Sequence, residues 1–394
     1  MSLFDNLTDL SKLKGMLNLS GLKGGSSVLG IDIGSSAIKV VQLRKDKGQA
    51  VLETYGELSL GPYGDLEIGR ATNLDADKLA QALHDILQES NITTKNCGVS
   101  IPFAASLISL IELPAVDNSK LASMVPIEAR KYIPVPISEV QLDWFVVPEG
   151  ETQFLSDEEK QEAAAQEKKA AQEDVISDKL LVLLVAIHNE VLQKYATVLK
   201  SAGLSPSFYE IEIFSSIRAV LNRGIAPVVI IDIGAARTKL YIVEFGIVRS
   251  SHVINKGSQD ITLSLAKSAE IEIGKAEELK RELGLFAGND EGNGQHVARA
   301  GKIVMEHIFA ESERAIQAYQ RRHNTNISQV ILTGGGATLK GLQDLATDKF
   351  AMEVVMGNPF SKAATPAFLE EVLQQAGPEF AVALGLALRK LQEV

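Results

Sequence analysis

Two stretches decide the fold: Val28–Leu43, VLGIDIGSSAIKVVQL, and Val228–Val243, VVIIDIGAARTKLYIV. Each is an apolar strand ending in Asp-Ile-Gly, then small residues, a Lys and a second apolar strand. The β-branched enrichment on both sides of the glycine predicts a hairpin. One such stretch reads equally as an ordinary tight turn, because turns use Asp and Gly anyway. Two of them, each behind a fully apolar strand, predict two similar α/β halves.

The residue types suggest what these turns can do. Gly34 and Gly234 let backbone approach a ligand with no Cβ in the way. Successive N–H groups in such a turn form an anion-binding nest, and Ser35 and Ser36 add hydroxyl donors. Asp32 and Asp232 would repel phosphate directly. They suit Mg²⁺ or its waters, since Mg²⁺ takes carboxylate, phosphate oxygen and water. Lys39, on the strand leaving the first turn, can reach back to phosphate as a point charge. A third piece is Ile331–Leu342, ILTGGGATLKGL. A strand, three glycines and a helix start make a surface where flat adenine can lie on backbone. Any β–α turn can use three glycines; their place late in the second half gives them weight. No GxxxxGK[ST] occurs, so a P-loop NTPase is not supported.

Around these motifs the chain has 394 residues, enough for two or three domains, and 45% hydrophobic residues, enough for a large core. Its 39 Lys+Arg against 50 Asp+Glu give a formal charge of −11. That argues against a basic nucleic-acid footprint and against simple adhesion to anionic lipid. A single cysteine, Cys97, excludes a disulfide framework and a cysteine-rich zinc site. The longest apolar run, Leu180–Ile187, is too short for a bilayer and reads as a buried strand. No secretory signal is expected at the start, so any membrane role would go through a partner.

Strands are expected at 50–60, Cys97–Ile101, Ser106–Glu112, Gln141–Val147 and Gln329–Leu332. Helices are expected over Asp75–Glu89, Lys120–Tyr132 with Pro126 kinking or interrupting it, from Gly274, over His296–Arg322 and at the C-terminal end. Residues 149–178 are Glu, Gln, Ala and Lys with almost no large apolar side chain, which predicts a loop insertion, helical or disordered. The lead 1–27 puts Leu3, Leu7, Leu10 and Leu17 near one helical face. It reads as a partner-binding or membrane-surface helix, or as a loosely docked end.

The three motifs, in this order, resemble the actin, sugar kinase and heat-shock chaperone ATPase superfamily. The resemblance implies an α/β fold with two related halves around a nucleotide cleft, with ATP and Mg²⁺ as cofactors. By motif position, Asp32, Gly34, Ser35, Ser36 and Lys39 match the family's first phosphate motif. Asp232, Gly234 and Thr238 match the second, and Gly334, Gly335 and Gly336 the adenosine motif. Glu277 and Lys280, in AEELK, match the ribose and purine contacts. Asp32 and Asp232 would hold Mg²⁺ through water.

A narrower likeness lies in GIDIGSSAIKVVQL, EARKYIPVPISEVQLDWFVV and EIEIFSSIRAVL. These are similar to the PilM family of type IV pilus assembly, and cover about residues 28–394 apart from the insertion. The likeness implies a small inserted α/β subdomain shared with FtsA. The implied division is 1–27 lead, 28–95 first half continued at 204–226, 96–203 inserted subdomain, and 227–394 second half. It implies a cytoplasmic ATP-binding scaffold at the inner membrane. Its partners would be the short cytoplasmic tail of a bitopic, PilN-like protein and other pilus assembly proteins, with self-association open. The tail is expected in a groove walled by Ile127–Val140, with Ile133 and Val135 either facing the tail or packing inward. A small-molecule kinase and an FtsA-like filament are the alternatives. The first would need a substrate pocket where the subdomain stands. The second would need a C-terminal membrane helix, which is not expected when Val394 follows so closely on a core-like helix. In related bacterial actins a Glu near Glu212 helps position the attacking water. Glu212 reads either so or as an ordinary helix residue, and weak or no ATPase activity is expected.

Overall fold

Both apolar hairpins form, and each anchors a five-stranded sheet of the same design. The structure, a computed structural model, describes residues 27–147, 179–222, 226–286 and 293–393. The expectations for the N-terminal lead and for 149–178 lie outside these residues. The first hairpin is β1 (Ser27–Ile33) and β2 (Ala37–Asp46), followed by β3 (Gln49–Ser59), helix α1 (Ala76–Glu89) and β4 (Asn96–Ile101). In α1, Asp75 caps the N-terminus by accepting from the Lys78 amide at 2.9 Å, and Leu79, Leu83 and Ile86 bury one face.

The chain then leaves for β5 (Ser106–Pro114), α2 (Asn118–Ala129), β6 (Val140–Val147), β7 (Lys179–His188) and α3 (Asn189–Ser201). It returns with β8 (Ser205–Ile211) and α4 (Glu212–Val220). The second half repeats the pattern with β9 (Val228–Ile233), β10 (Thr238–Glu244), β11 (Ile247–Ile254), α5 (Ser258–Ala269), α6 (Ile273–Leu283) and α7 (Asn293–His323). It ends with β12 (Gln329–Thr333), α8 (Leu342–Phe350), β13 (Glu353–Met356), α9 (Glu370–Ala376) and α10 (Ala381–Gln392).

The first sheet has the order β3-β2-β1-β4-β8 and the second β11-β10-β9-β12-β13. In both, the three hairpin strands are antiparallel and the last two run parallel to the central strand. Parallel strands put ligand sites at their carboxyl ends. Asp32, Asp232 and Gly334 all stand there, at or just past the ends of β1, β9 and β12. Behind the first sheet α10 is buried along nearly its whole length and packs on β1 and α4.

Phe103–Gln193 separates as a compact unit from Gly21–Pro102 with Lys194–Val394. It is narrower than the expected 96–203, because β4 pairs in parallel with β1 inside the first sheet. Its own sheet has the order β5-β7-β6, all antiparallel, with β7, the long apolar run, in the centre. Helix α2 covers one face through Leu121, Val125 and Ala129. Pro126 lies inside α2 without ending it. Of the proposed wall, Ile133 is buried in this core and Val135 packs against it, so these side chains satisfy the unit's own interior. The exposed large hydrophobic residues of that stretch are Ile127 and Tyr132, 62% and 44% accessible, with Pro134 and Pro136 exposed beside them. Among the described residues no helix is long and apolar enough to cross a membrane.

Candidate functional site

The hairpin register sets the site's chemistry. Antiparallel pairing places Asp32 directly opposite Lys39 and Asp232 directly opposite Lys239. Residues paired this way share one face of the sheet. Both turns close with the same bond: the Gly34 amide donates to the Ala37 carbonyl and the Gly234 amide to the Arg237 carbonyl, each at 3.0 Å. The tips stay open. Ser35 is exposed, Ser36 half-buried, and among the described residues neither hydroxyl has a hydrogen-bond partner. Thr238 differs: it is fully buried and donates to the Lys256 carbonyl at 2.9 Å.

The third strands break the symmetry. Lys39 faces Glu57 across β2 and β3 and bridges it at 3.3 Å. Burial opposes the Lys39 charge, but Glu57, Glu379 and Asp32 hold its pKa above the ordinary value. Lys239 faces Val253 across β10 and β11, where no carboxylate is offered. Its ammonium turns to Asp232 at 2.7 Å and to Glu212 at 2.7 Å. Glu212, the first residue of α4, is thereby brought to the second hairpin.

Asp32 accepts from Ser100 Oγ at 2.8 Å, and Ser100 in turn accepts from the Ile33 amide at 3.2 Å. Burial and the nearby Glu212 carboxylate push Asp32 up to about 6, against the pull of Lys39 and Lys239. Among the described residues it has no ion pair, unlike Asp232. A half-buried carboxylate crowded by another and, among the described residues, without an ion pair suits a hydrated divalent ion.

The glycine turn closes one wall. Gly334 stands against Asp232, its amide donating to the Pro378 carbonyl at 2.9 Å. Gly335 is exposed beside Glu379, whereas Gly336 is buried on Ile233. Burial and Glu57 push Glu379 up to about 7. Glu277 and Lys280 lie side by side on α6 and bond each other at 2.6 Å. Glu277 also accepts from Thr262 at 2.6 Å and from Arg281 at 2.7 Å. Burial works against its charge, yet Lys280 and these donors hold the carboxyl below the usual range.

A strap from the first half, residues 61–72, meets this wall. The Thr72 amide donates to the Ser35 carbonyl at 2.9 Å, and the Ala71 amide to Gln259 Oε1 at 3.0 Å. Gly69, at φ +85°, leaves no room for a β-carbon, which would stand 2.6 Å from Glu277 Cδ.

Site residues missed by sequence reading are Lys239, Ser100, Glu57, Glu379 and Gln259. The repeat itself marks Lys239, which takes the place of Lys39 when the two hairpins are superposed.

Two halves of matching topology, paired Asp–Lys hairpins and a glycine turn set against one Asp together define the actin-like ATPase fold. Within that class, the chain belongs to the family of the type IV pilus assembly protein PilM, which matches residues 30–177 and 169–391. Among solved structures it is similar to a chain of the "PilM-PilN type IV pilus biogenesis complex". There the identity is 26% and the TM-score 0.73, over 92% of this chain and 98% of that one. The ethanolamine utilization protein EutJ from Carboxydothermus hydrogenoformans shares the fold at 16% identity and TM-score 0.52, over 98% and 97% of the two chains. A diol dehydratase-reactivating factor in nucleotide-free form does so at 12% and 0.50, over 93% and 100%.

Proposed function

We propose that this protein is a nucleotide-holding scaffold of type IV pilus assembly that docks the cytoplasmic tail of a PilN-like membrane protein. The observation that carries the reading is the similarity, over nearly the whole of both chains, to a component of a PilM–PilN complex. The cleft supplies the nucleotide part. Gly34 and Gly234 would let the turn backbones come close to phosphate with no Cβ in the way, Ser35 and Ser36 would offer hydroxyls, Lys39 a point charge, and Gly334, Gly335 and Gly336 a backbone surface for adenine. Asp32 would hold Mg²⁺ through water, and the ion would neutralise phosphate charge. Glu277 and Lys280 would present to the ribose and purine what their mutual pairing leaves open. Turnover would be weak, with Glu212 tied to Lys239. A scaffold gains from ligand binding by mass action, about 2.7 kcal/mol at a hundredfold excess over Kd. The protein would then work on the cytoplasmic face of the inner membrane. The kinase and filament alternatives gain nothing from the family match.

Ile127 and Tyr132, with Arg130 beside them, support a docking role for the Phe103–Gln193 unit. The test is a calorimetric titration of the partner's cytoplasmic peptide into the full chain and into Ile127→Asp and Tyr132→Asp. Binding that weakens at least about tenfold in either variant supports the surface. Equal binding by all three moves the surface elsewhere, and no binding by wild type removes the scaffold reading.

A further inference from the structure

The two halves are not equivalent toward cations, and the difference traces to one pair of positions. Across β2–β3 a Lys meets a Glu; across β10–β11 a Lys meets a Val. The first Lys bridges Glu57 at 3.3 Å and, among the described residues, makes no ion pair with its Asp. The second has nowhere else to go and lies between Asp232 and Glu212, 2.7 Å from each. All three side chains are largely shielded, at 15%, 7% and 14% exposure. In such a place an ammonium shared by two carboxylates is a charge-assisted clamp. A buried carboxylate pair without its cation would be strongly unfavourable.

We propose that Lys239 is the positioning cation of the second half, doing for Asp232 and Glu212 what a bound metal would do and leaving metal coordination to Asp32. The inference rests on the nucleotide reading above and narrows it. Lys239 is pinned by two acceptors, so its charge is fixed beside the second phosphate turn before any ligand arrives. Bound phosphate there meets a cation the protein supplies itself. Glu212, accepting from that ammonium, is held as a structural acceptor rather than as a base for water. Two consequences follow: nucleotide affinity keeps a component that does not need Mg²⁺, and that component belongs to Lys239.

The experiment measures ATP binding by calorimetry on the full chain in excess Mg²⁺ and in EDTA. It compares wild type, Lys239→Arg and Lys239→Met, with thermal melts as a check on folding. Removing Mg²⁺ should weaken wild-type binding at least about tenfold without abolishing it. In Lys239→Met the loss on removing Mg²⁺ should be larger by at least about tenfold, the scale of a charged hydrogen bond. Lys239→Arg, which keeps the charge, should restore the wild-type ratio. If Lys239→Met does not fold, Glu212→Gln with Lys239→Met relieves one uncompensated carboxylate and should show the same widened ratio. A ratio unchanged from wild type in whichever of these folds overturns the role of Lys239. Wild type that binds no ATP in either condition overturns the nucleotide reading itself.

Discussion

Gly334 lies so close to Asp232 that a β-carbon at position 334 would stand 2.2 Å from Asp232 Oδ1, and 2.7 Å from the Ile233 carbonyl. Its backbone sits at φ 84°, ψ 165°, a region open essentially to glycine alone. Gly334→Ala should therefore cost about 1–3 kcal/mol of stability. It should also weaken ATP binding at least about tenfold by pushing the turn off Asp232. A thermal melt paired with an ATP titration checks both; wild-type values in the two would show that the turn is not constrained by Asp232.

Gln259 ties the strap to the second half through the Ala71 amide, 188 positions away in sequence. Gln259→Ala should remove about 0.5–1.5 kcal/mol, the net worth of one hydrogen bond. The loss should be local. Hydrogen exchange should speed up at residues 65–72 and stay unchanged in β9, the buried central strand of the second sheet. Uniform exchange across both would mean that the strap is held by other contacts.

Stability at acid pH should depend on Glu210. This carboxylate is 2% exposed and accepts from Arg218 at 2.7 and 2.8 Å, from Arg389 at 2.7 Å and from Ser215. Burial opposes its charge, but the two guanidinium groups hold it down to about 2. A lowered folded-state pKa stabilises the protein above the unfolded value of 4.5, and that contribution is lost as pH falls toward 2. Glu210→Gln should cost about 3–5 kcal/mol at neutral pH, because it leaves buried Arg389 and half-buried Arg218 without the carboxylate they share. It should also flatten the fall in melting temperature between pH 4.5 and 2. Parallel acid limbs for wild type and variant would assign the acid sensitivity elsewhere.

Residues 149–178 should be replaceable. Strands β6 and β7 are antiparallel, and Val147 pairs with Leu181, so the two ends of the excised segment already face each other. A short Gly-Ser turn can join them. Shortening a loop about fivefold gains at most about 1–2 kcal/mol, so the melting temperature should hold or rise slightly. A large fall would show that the segment contributes to the fold.

The fold was legible because its deciding signal is local and duplicated. Each hairpin is a contiguous stretch whose apolar pattern, Asp-Ile-Gly and Lys recur 200 positions on, from Asp32 to Asp232. The motif residues at the strand ends were legible for the same reason. Lys239 was visible in the repeat, but its pairing with Asp232 and Glu212 was not. Whether it serves Asp232 or a third strand depends on Val253 standing opposite rather than a carboxylate, and register between strands is not written in either one. Ser100, Glu379 and Gln259 reach the site through long-range packing, which periodicity cannot show. Ile133 and Val135 turned inward because a small unit with one three-stranded sheet and one covering helix needs every apolar side chain for its own core.

The most direct test of the cleft is calorimetric titration of Mg-ATP into wild type, Asp32→Ala and Asp232→Ala, each first shown to melt cooperatively. Wild type should bind. Asp32→Ala should bind at least about tenfold more weakly, having lost the carboxylate best placed to hold the metal. Asp232→Ala should also weaken binding, through the freed Lys239 and the displaced glycine turn. Wild-type affinity in both variants would contradict a nucleotide held between the two hairpins.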